Sequence, residues 1–152
     1  LHRPSNLNDD ILRGIFDAIG HFTEDYQVIL PAHPRLKKYI DDKNIEFKNI
    51  VLIEPLSYID FMSLVYGSTL VLTDSGGIQE ETTYLGIDCL TLREETERPV
   101  TIKQGTNKIV GTDKENIINE INNVLGSKIS NEAKIKYWDG ETSDRIFQIL
   151  FG

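Results

Sequence analysis

A single cysteine, Cys89, is all the thiol chemistry that this 152-residue chain holds. One thiol cannot close an internal disulfide, and it excludes a cysteine-cluster metal site. Cys89 lies in the run Cys89-Leu90-Thr91-Leu92, where a small buried hydrophobe is the ordinary expectation. Histidine is scarce as well. His2, His21 and His33 fall in the first third of the chain, and no His-x-x-x-His or His/carboxylate spacing marks a metal site. Basic residues are outnumbered, 16 Lys and Arg against 24 Asp and Glu, for a net charge of -8. That balance argues against general binding to nucleic acid or to an anionic membrane, although it permits one local basic pocket for an anionic ligand. No apolar stretch approaches the ~20 residues of a membrane span, and no signal peptide is visible. A cytoplasmic location is therefore expected. The chain also lacks internal repeats, low-complexity tracts and Gly/Ser linkers, so one compact unit spanning 1–152 is the simplest organisation. It starts at Leu1 rather than Met, as a domain cut from a longer protein would.

The length suits one domain with a sizeable core, and apolar and charged shares of 39% and 26% fit a soluble globular chain. Within it, helical and extended patterns alternate. Ile11, Leu12, Ile15, Phe16 and Ile19 recur at helical spacing behind Asn8-Asp9-Asp10, a cap and acidic first turn. Gln27 to Leu30 predicts a strand ended by Pro31, and Arg35 to Asp42 a short helix. Ile50 to Ile53 is wholly apolar, as in a strand covered on both faces. Ser57 can cap a helix bearing Ile59, Phe61, Met62, Leu64 and Val65. Thr69 to Thr73 predicts a strand, Gly76 to Leu85 a helix stopped by Gly86, and Asp88 to Leu92 another strand. Lys108 to Val110, a helix from Asp113 to Leu125, and a helical tail from Thr142 to Phe151 complete the pattern. Strands separated by helices imply parallel pairing. The fold expected is a doubly wound, Rossmann-like α/β domain, whose ligands bind beyond the carboxyl ends of the strands.

The densest local signal is Leu72-Thr73-Asp74-Ser75-Gly76-Gly77-Ile78-Gln79-Glu80-Glu81. A strand ends, two glycines follow and a helix begins. Glycines allow close backbone approach, and the free N–H groups and dipole of a helix start favour a phosphate. A plain strand-to-helix turn capped by Ser75 is the competing explanation. Glu81 follows Gly77 by one turn, too far along to cap. There it can accept from two sugar hydroxyls or simply face solvent. Arg93 and Arg98 flank the polar loop Glu94 to Pro99, where an arginine can grip a diphosphate bidentately or belong to a weak surface ion-pair cluster. His2 and His33 can donate to a phosphate or assist a leaving group, or be ordinary surface and cap histidines.

Taken together, these motifs resemble the C-terminal domain of the non-hydrolysing UDP-N-acetylglucosamine 2-epimerases. His2-Arg3 with Asn6, then Leu30-Pro31-Ala32-His33-Pro34, resemble its start. Pro55 to Phe61 looks like its uracil-side segment, and Leu72 to Glu81 matches its signature at every position. Arg93 to Pro99, Gly105-Thr106-Asn107 and Val110 to Asp113 follow in the family's order, as do Tyr137-Trp138-Asp139-Gly140 and Arg145-Ile146. The likeness spans essentially the whole chain.

The resemblance implies two Rossmann-like domains in a glycosyltransferase B-type arrangement, of which this chain is the second; the N-terminal domain is absent from it. It implies inversion at C2, interconverting UDP-N-acetylglucosamine and UDP-N-acetylmannosamine through elimination and re-addition of UDP. No cofactor or metal is required. Ser75, Gly76 and Gly77 would hold the diphosphate, and Glu81 the ribose hydroxyls. Arg98 and the catalytic candidate His2 would stand at the phosphates, with Phe61 and the Leu56 backbone at the uracil. The carboxylates that move the C2 proton belong to the first domain. A homodimer in surface-polysaccharide synthesis is expected. The chain departs from the family at Ser5, where a glutamate is usual. In bacterial relatives that glutamate, with the counterparts of Arg3 and His33, helps to bind a second, activating UDP-N-acetylglucosamine. Arg3 and His33 are thus candidate regulatory residues, and Ser5 weighs against that regulation. Trp138 replaces a glycine, with no effect that the sequence explains. Two alternatives stay open: a hydrolysing 2-epimerase that releases free N-acetylmannosamine, and the donor-binding domain of a glycosyltransferase-like protein.

Overall fold

Helix and strand alternate along the chain in the computed structural model, which describes residues 1, 3–47, 49–127 and 135–152. A single 3-10 turn, Pro4–Asn6, precedes α1 (Asp9–Gly20), β1 (Val28–Pro31), α2 (Pro34–Lys43), β2 (Ile50–Ile53) and α3 (Tyr58–Tyr66). Then come β3 (Val71–Thr73), α4 (Gly76–Leu85), β4 (Cys89–Thr91), α5 (Pro99–Lys103), β5 (Asn107–Ile109), α6 (Lys114–Gly126) and α7 (Thr142–Phe151). Local chemistry sets several boundaries. The Asn8 side chain accepts from the N–H groups of Asp10 and Ile11, capping α1. Ser57 caps α3 through the Asp60 N–H, and Asp113 caps α6 through the Asn116 N–H. At the far end of α4, Gly86 takes φ 72 and stops the helix in the left-handed conformation that glycine adopts without a Cβ penalty.

All strand pairing among the described residues is parallel, and the class is the α/β, Rossmann-like one expected from the alternation. β1 pairs with β2, Val28 opposite Ile50 through Pro31 opposite Ile53. β3, β4 and β5 form a second ladder in that order, with Val71 opposite Cys89 and Cys89 opposite Asn107. The sheet is thus divided into two ladders. An apolar cavity of about 510 Å³ is lined by residues of β1 and β3 together with Phe61 and Ile78.

Helix α1 bridges the two ladders because its apolar residues form two stripes. Ile15 and Ala18 join Leu90, Leu92, Val110, Ile117 and Ile121 in one buried cluster. Leu12 and Phe16 join Leu36, Ile40 and Ile45 in the other. Strand β2 departs from expectation. Val51 is 44% exposed, so one face of β2 is open to solvent there.

The tail motif has a structural explanation. Arg145 grips Asp139 with two bonds, Nη1 to Oδ2 at 2.9 Å and Nη2 to Oδ1 at 2.8 Å, and its Nη2 also donates to the Tyr137 carbonyl. The Arg145 guanidinium, then the Glu141 N–H, hold the Asp139 carboxyl at about 2. Helix α7, which this pair anchors, buries none of its residues. No helix among the described residues is long and apolar enough to cross a membrane.

Candidate functional site

The carboxyl end of β3 is where the chain gathers its polar side chains. Asp74, fully buried, accepts on Oδ2 from the Arg3 N–H at 2.9 Å and from Asn6 Nδ2 at 3.3 Å. Asn6 Nδ2 also donates to the Leu92 carbonyl, and Arg3 Nε donates to the Asp74 carbonyl at 3.1 Å. The start of the chain is thereby laid across the ends of β3 and β4. The Ser75 N–H donates back to Thr73 Oγ1 at 3.1 Å. Ser75 occupies the N-cap position of α4, yet its side chain makes no capping bond. That departs from the plain capped turn, in which the hydroxyl would satisfy one of the first N–H groups.

Arg98 stands beside this helix start. Its Cγ would lie 3.9 Å from a Cβ built at Gly76, and its Nε is 2.9 Å from Glu80 Oε2. The other loop arginine, Arg93, pairs with Glu97, Nη1 to Oε2 at 2.8 Å, and Arg3 Nη2 reaches Glu97 Oε1 at 3.1 Å. The 93–98 loop is therefore an ion-pair cluster, and it sits against the helix start.

A buried hydrogen-bond network fixes that loop from beneath. Gln79 Oε1 accepts from Thr96 Oγ1 at 2.6 Å and from Asn107 Nδ2 at 3.1 Å. Asn107 Nδ2 also donates to Thr101 Oγ1, and Asn107 Oδ1 accepts from Thr91 Oγ1 at 2.6 Å. Thr101 Oγ1 donates to the Arg98 carbonyl, while Thr96 Oγ1 accepts from the Arg98 N–H. Gln79, Thr91 and Thr101 are fully buried and Asn107 is 5% exposed. Buried polar groups of this kind are costly unless paired, and when paired they hold one geometry. Gly105 belongs to the same packing, since a Cβ there would stand 2.4 Å from Thr83 Cγ2 and 2.5 Å from the Thr101 carbonyl oxygen.

Glu81, half-buried on α4, accepts on Oε1 from the Tyr58 hydroxyl at 2.9 Å. That bond raises the Tyr58 pKa above its ordinary value, with burial adding to it. Phe61 lines the apolar cavity, whereas Leu56 is exposed in the loop after β2. His33 caps α2, its Nδ1 accepting from the Arg35 N–H at 3.2 Å. His2 lies outside the described residues. The structure thus groups Ser75, Gly76, Gly77, Arg98 and Arg3, puts Glu81 one turn further along, and leaves Leu56 and His33 on separate loops. Tyr58, Glu97, Gln79 and Asn107 carry this geometry and were not singled out from the sequence. They stood inside the matched motifs, but only long-range contacts reveal their roles.

Cys89 is fully buried, and that burial pushes its thiol up to about 11, which leaves no nucleophilic thiolate near neutrality. Among the described residues, no group of three or more His, Cys, Asp or Glu side chains could hold a metal ion.

The chain is similar to known proteins along its whole length. The UDP-N-acetylglucosamine 2-epimerase of Methanocaldococcus jannaschii is 38% identical over 160 residues, covering 99% of this chain and 43% of that protein. That of Bacillus subtilis is 39% identical, covering 98% of this chain and 41% of that protein. The solved structure of the M. jannaschii UDP-GlcNAc 2-epimerase in complex with UDP-GlcNAc and UDP aligns with a TM-score of 0.86, covering 98% of this chain and 43% of that one. This chain therefore spans less than half the length of these relatives. Since the model of the UDP-N-acetylglucosamine 2-epimerase family also matches residues 1–151, the chain belongs to that family.

Proposed function

We propose that this chain is the UDP-binding unit of a non-hydrolysing UDP-N-acetylglucosamine 2-epimerase. The observation that carries the proposal is the helix start at Ser75–Gly77, with a serine hydroxyl not used as a cap and Arg98 packed beside Gly76. Family membership supplies the nucleotide sugar. In this reading the first N–H groups of α4, the Ser75 hydroxyl and the Arg98 guanidinium bind the diphosphate. Glu81 accepts from the ribose hydroxyls, and Leu56 and Phe61 serve the uracil. His2 acts at the phosphates by resemblance.

The chemistry follows from charge. Eliminating UDP builds negative charge on the leaving β-phosphate oxygen. Donors already aimed at that oxygen stabilise it without reorganising, and do so more strongly in a dry cleft. Retaining both intermediates in one site favours re-addition over escape. The groups that move the C2 proton are proposed to lie in the part of the enzyme that this chain does not match, so the chain alone binds UDP without turnover. By the same resemblance, the intact enzyme acts as a cytoplasmic homodimer with no cofactor.

The test is a product assay by NMR. Intact protein given UDP-N-acetylglucosamine should yield UDP-N-acetylmannosamine as first product, and the chain alone should yield nothing. Free N-acetylmannosamine as first product would assign the hydrolysing reaction instead. Turnover by the chain alone would contradict the division of labour.

A further inference from the structure

Glu97 stands beside the helix start proposed above to take an anion. Its Oε1 would stand 2.9 Å from a Cβ built at Gly76, so the carboxylate rests on the backbone that opens α4. It also holds two guanidinium groups, Arg3 through Oε1 at 3.1 Å and Arg93 through Oε2 at 2.8 Å. A helix start flanked by arginines favours an anion, and here a side-chain carboxylate lies against it. Its own N–H, then the Arg93 guanidinium, hold its pKa at about 2, so it is charged throughout the neutral range. Thr96 and Thr101 also tie the loop to the buried network, through bonds that do not involve this carboxylate. The Glu97 side chain is 45% exposed and has room to rotate away.

We infer that Glu97 is an internal placeholder anion, which holds Arg3 and Arg93 at the Gly76 backbone and competes with the phosphate of the ligand for them. The inference rests on the UDP-site reading above. Its consequence is selectivity by charge. A ligand bearing a diphosphate can displace the carboxylate and recruit both arginines, whereas a ligand without phosphate gains nothing from them. Glu97 is then a positioning residue whose removal strengthens binding, the opposite of what a purely structural contact would give.

The experiment titrates the intact protein and its Glu97→Gln variant with UDP and with uridine, at low and high salt. The variant is expected to bind UDP roughly tenfold more tightly, the size of one charge-assisted interaction. Uridine affinity should not change. The gain should shrink as salt rises to about 0.5 M, because screening weakens the competing pair. Should Glu97→Gln melt early, Glu97→Ala carries the same comparison. Equal or weaker UDP binding by a stably folded variant would overturn the inference and leave the UDP site standing. Failure of the wild-type protein to bind UDP would overturn both.

Discussion

The two strand ladders are fed by similar sequence, short apolar strands leading into helices, yet they are held together by different forces. The β1–β2 ladder is secured by an apolar cluster, Leu12, Phe16, Leu36, Ile40 and Ile45. Its strands are only partly covered, with Val51 open to solvent. The β3–β5 ladder contains the fully buried strand β4 and encloses Gln79, Thr91, Thr101 and Asn107 in one hydrogen-bond network. Apolar packing is non-directional and tolerates small shifts. A buried network is directional, and it costs stability wherever one bond is lost. The candidate site sits on the second ladder, where the Arg93–Arg98 loop must hold one place.

This contrast can be broken by mutation. Asn107→Leu takes one bond from each of Gln79, Thr91 and Thr101 and leaves Thr91 Oγ1 without its Asn107 acceptor. It should cost about 3 kcal/mol of stability, with a loss of UDP affinity as the loop shifts. Leu36→Ala, at a fully buried position, should cost roughly 2–5 kcal/mol by leaving a cavity, with UDP affinity unchanged. Thermal melts and UDP titrations of both variants check this. Equal affinity losses would erase the distinction between the ladders.

A smaller effect is expected at Gly105. Alanine there forces a Cβ to within 2.5 Å of the Thr101 carbonyl oxygen, a contact the backbone must yield to, for roughly 1–3 kcal/mol of destabilisation. The melting temperature measures it. If Gly105→Ala is neutral, the packing beneath the loop is looser than the network implies.

The smallest change is Tyr58→Phe, which removes one hydroxyl at an exposed position and leaves Glu81 without its partner. The melting temperature should hardly move, as for most exposed substitutions. UDP affinity should fall a few-fold if Tyr58 orients the carboxylate. The drop should vanish with an analogue that lacks the ribose hydroxyls, as calorimetry with both ligands would show.

Much of this was legible in the sequence. Glycine, cap residues and period gave α4 and α6 nearly to the residue, because local chemistry decides those boundaries. The signature around Gly76 was visible for the same reason. The division of the sheet was not visible, since β1 and β3 are equally apolar and strand pairing is a long-range choice. Helices α6 and α7 were both expected from the sequence, the first with a marked apolar side. Only α6 buries its stripe, Ile117 and Ile121 included, and periodicity announces an apolar face without naming its cover. Tyr58 and Glu97 escaped notice because an exposed tyrosine or glutamate has no pattern of its own. Each meets the candidate site through a partner at least 20 positions away, Glu81 for the first and Gly76 for the second.

The central claim is that the Ser75–Glu81 segment holds the diphosphate and ribose of UDP. Titration of the intact wild-type protein and of Glu81→Gln with UDP, 2′-deoxy-UDP and 3′-deoxy-UDP forms a double-mutant cycle on that claim. Glutamine keeps one acceptor oxygen and turns the other position into a donor, so one ribose hydroxyl loses its partner. The account predicts a loss of roughly 1.5–3 kcal/mol for UDP and clear non-additivity when residue and hydroxyl are changed together. Fully additive losses, with an unchanged melting temperature, would contradict it and leave Glu81 as a surface carboxylate.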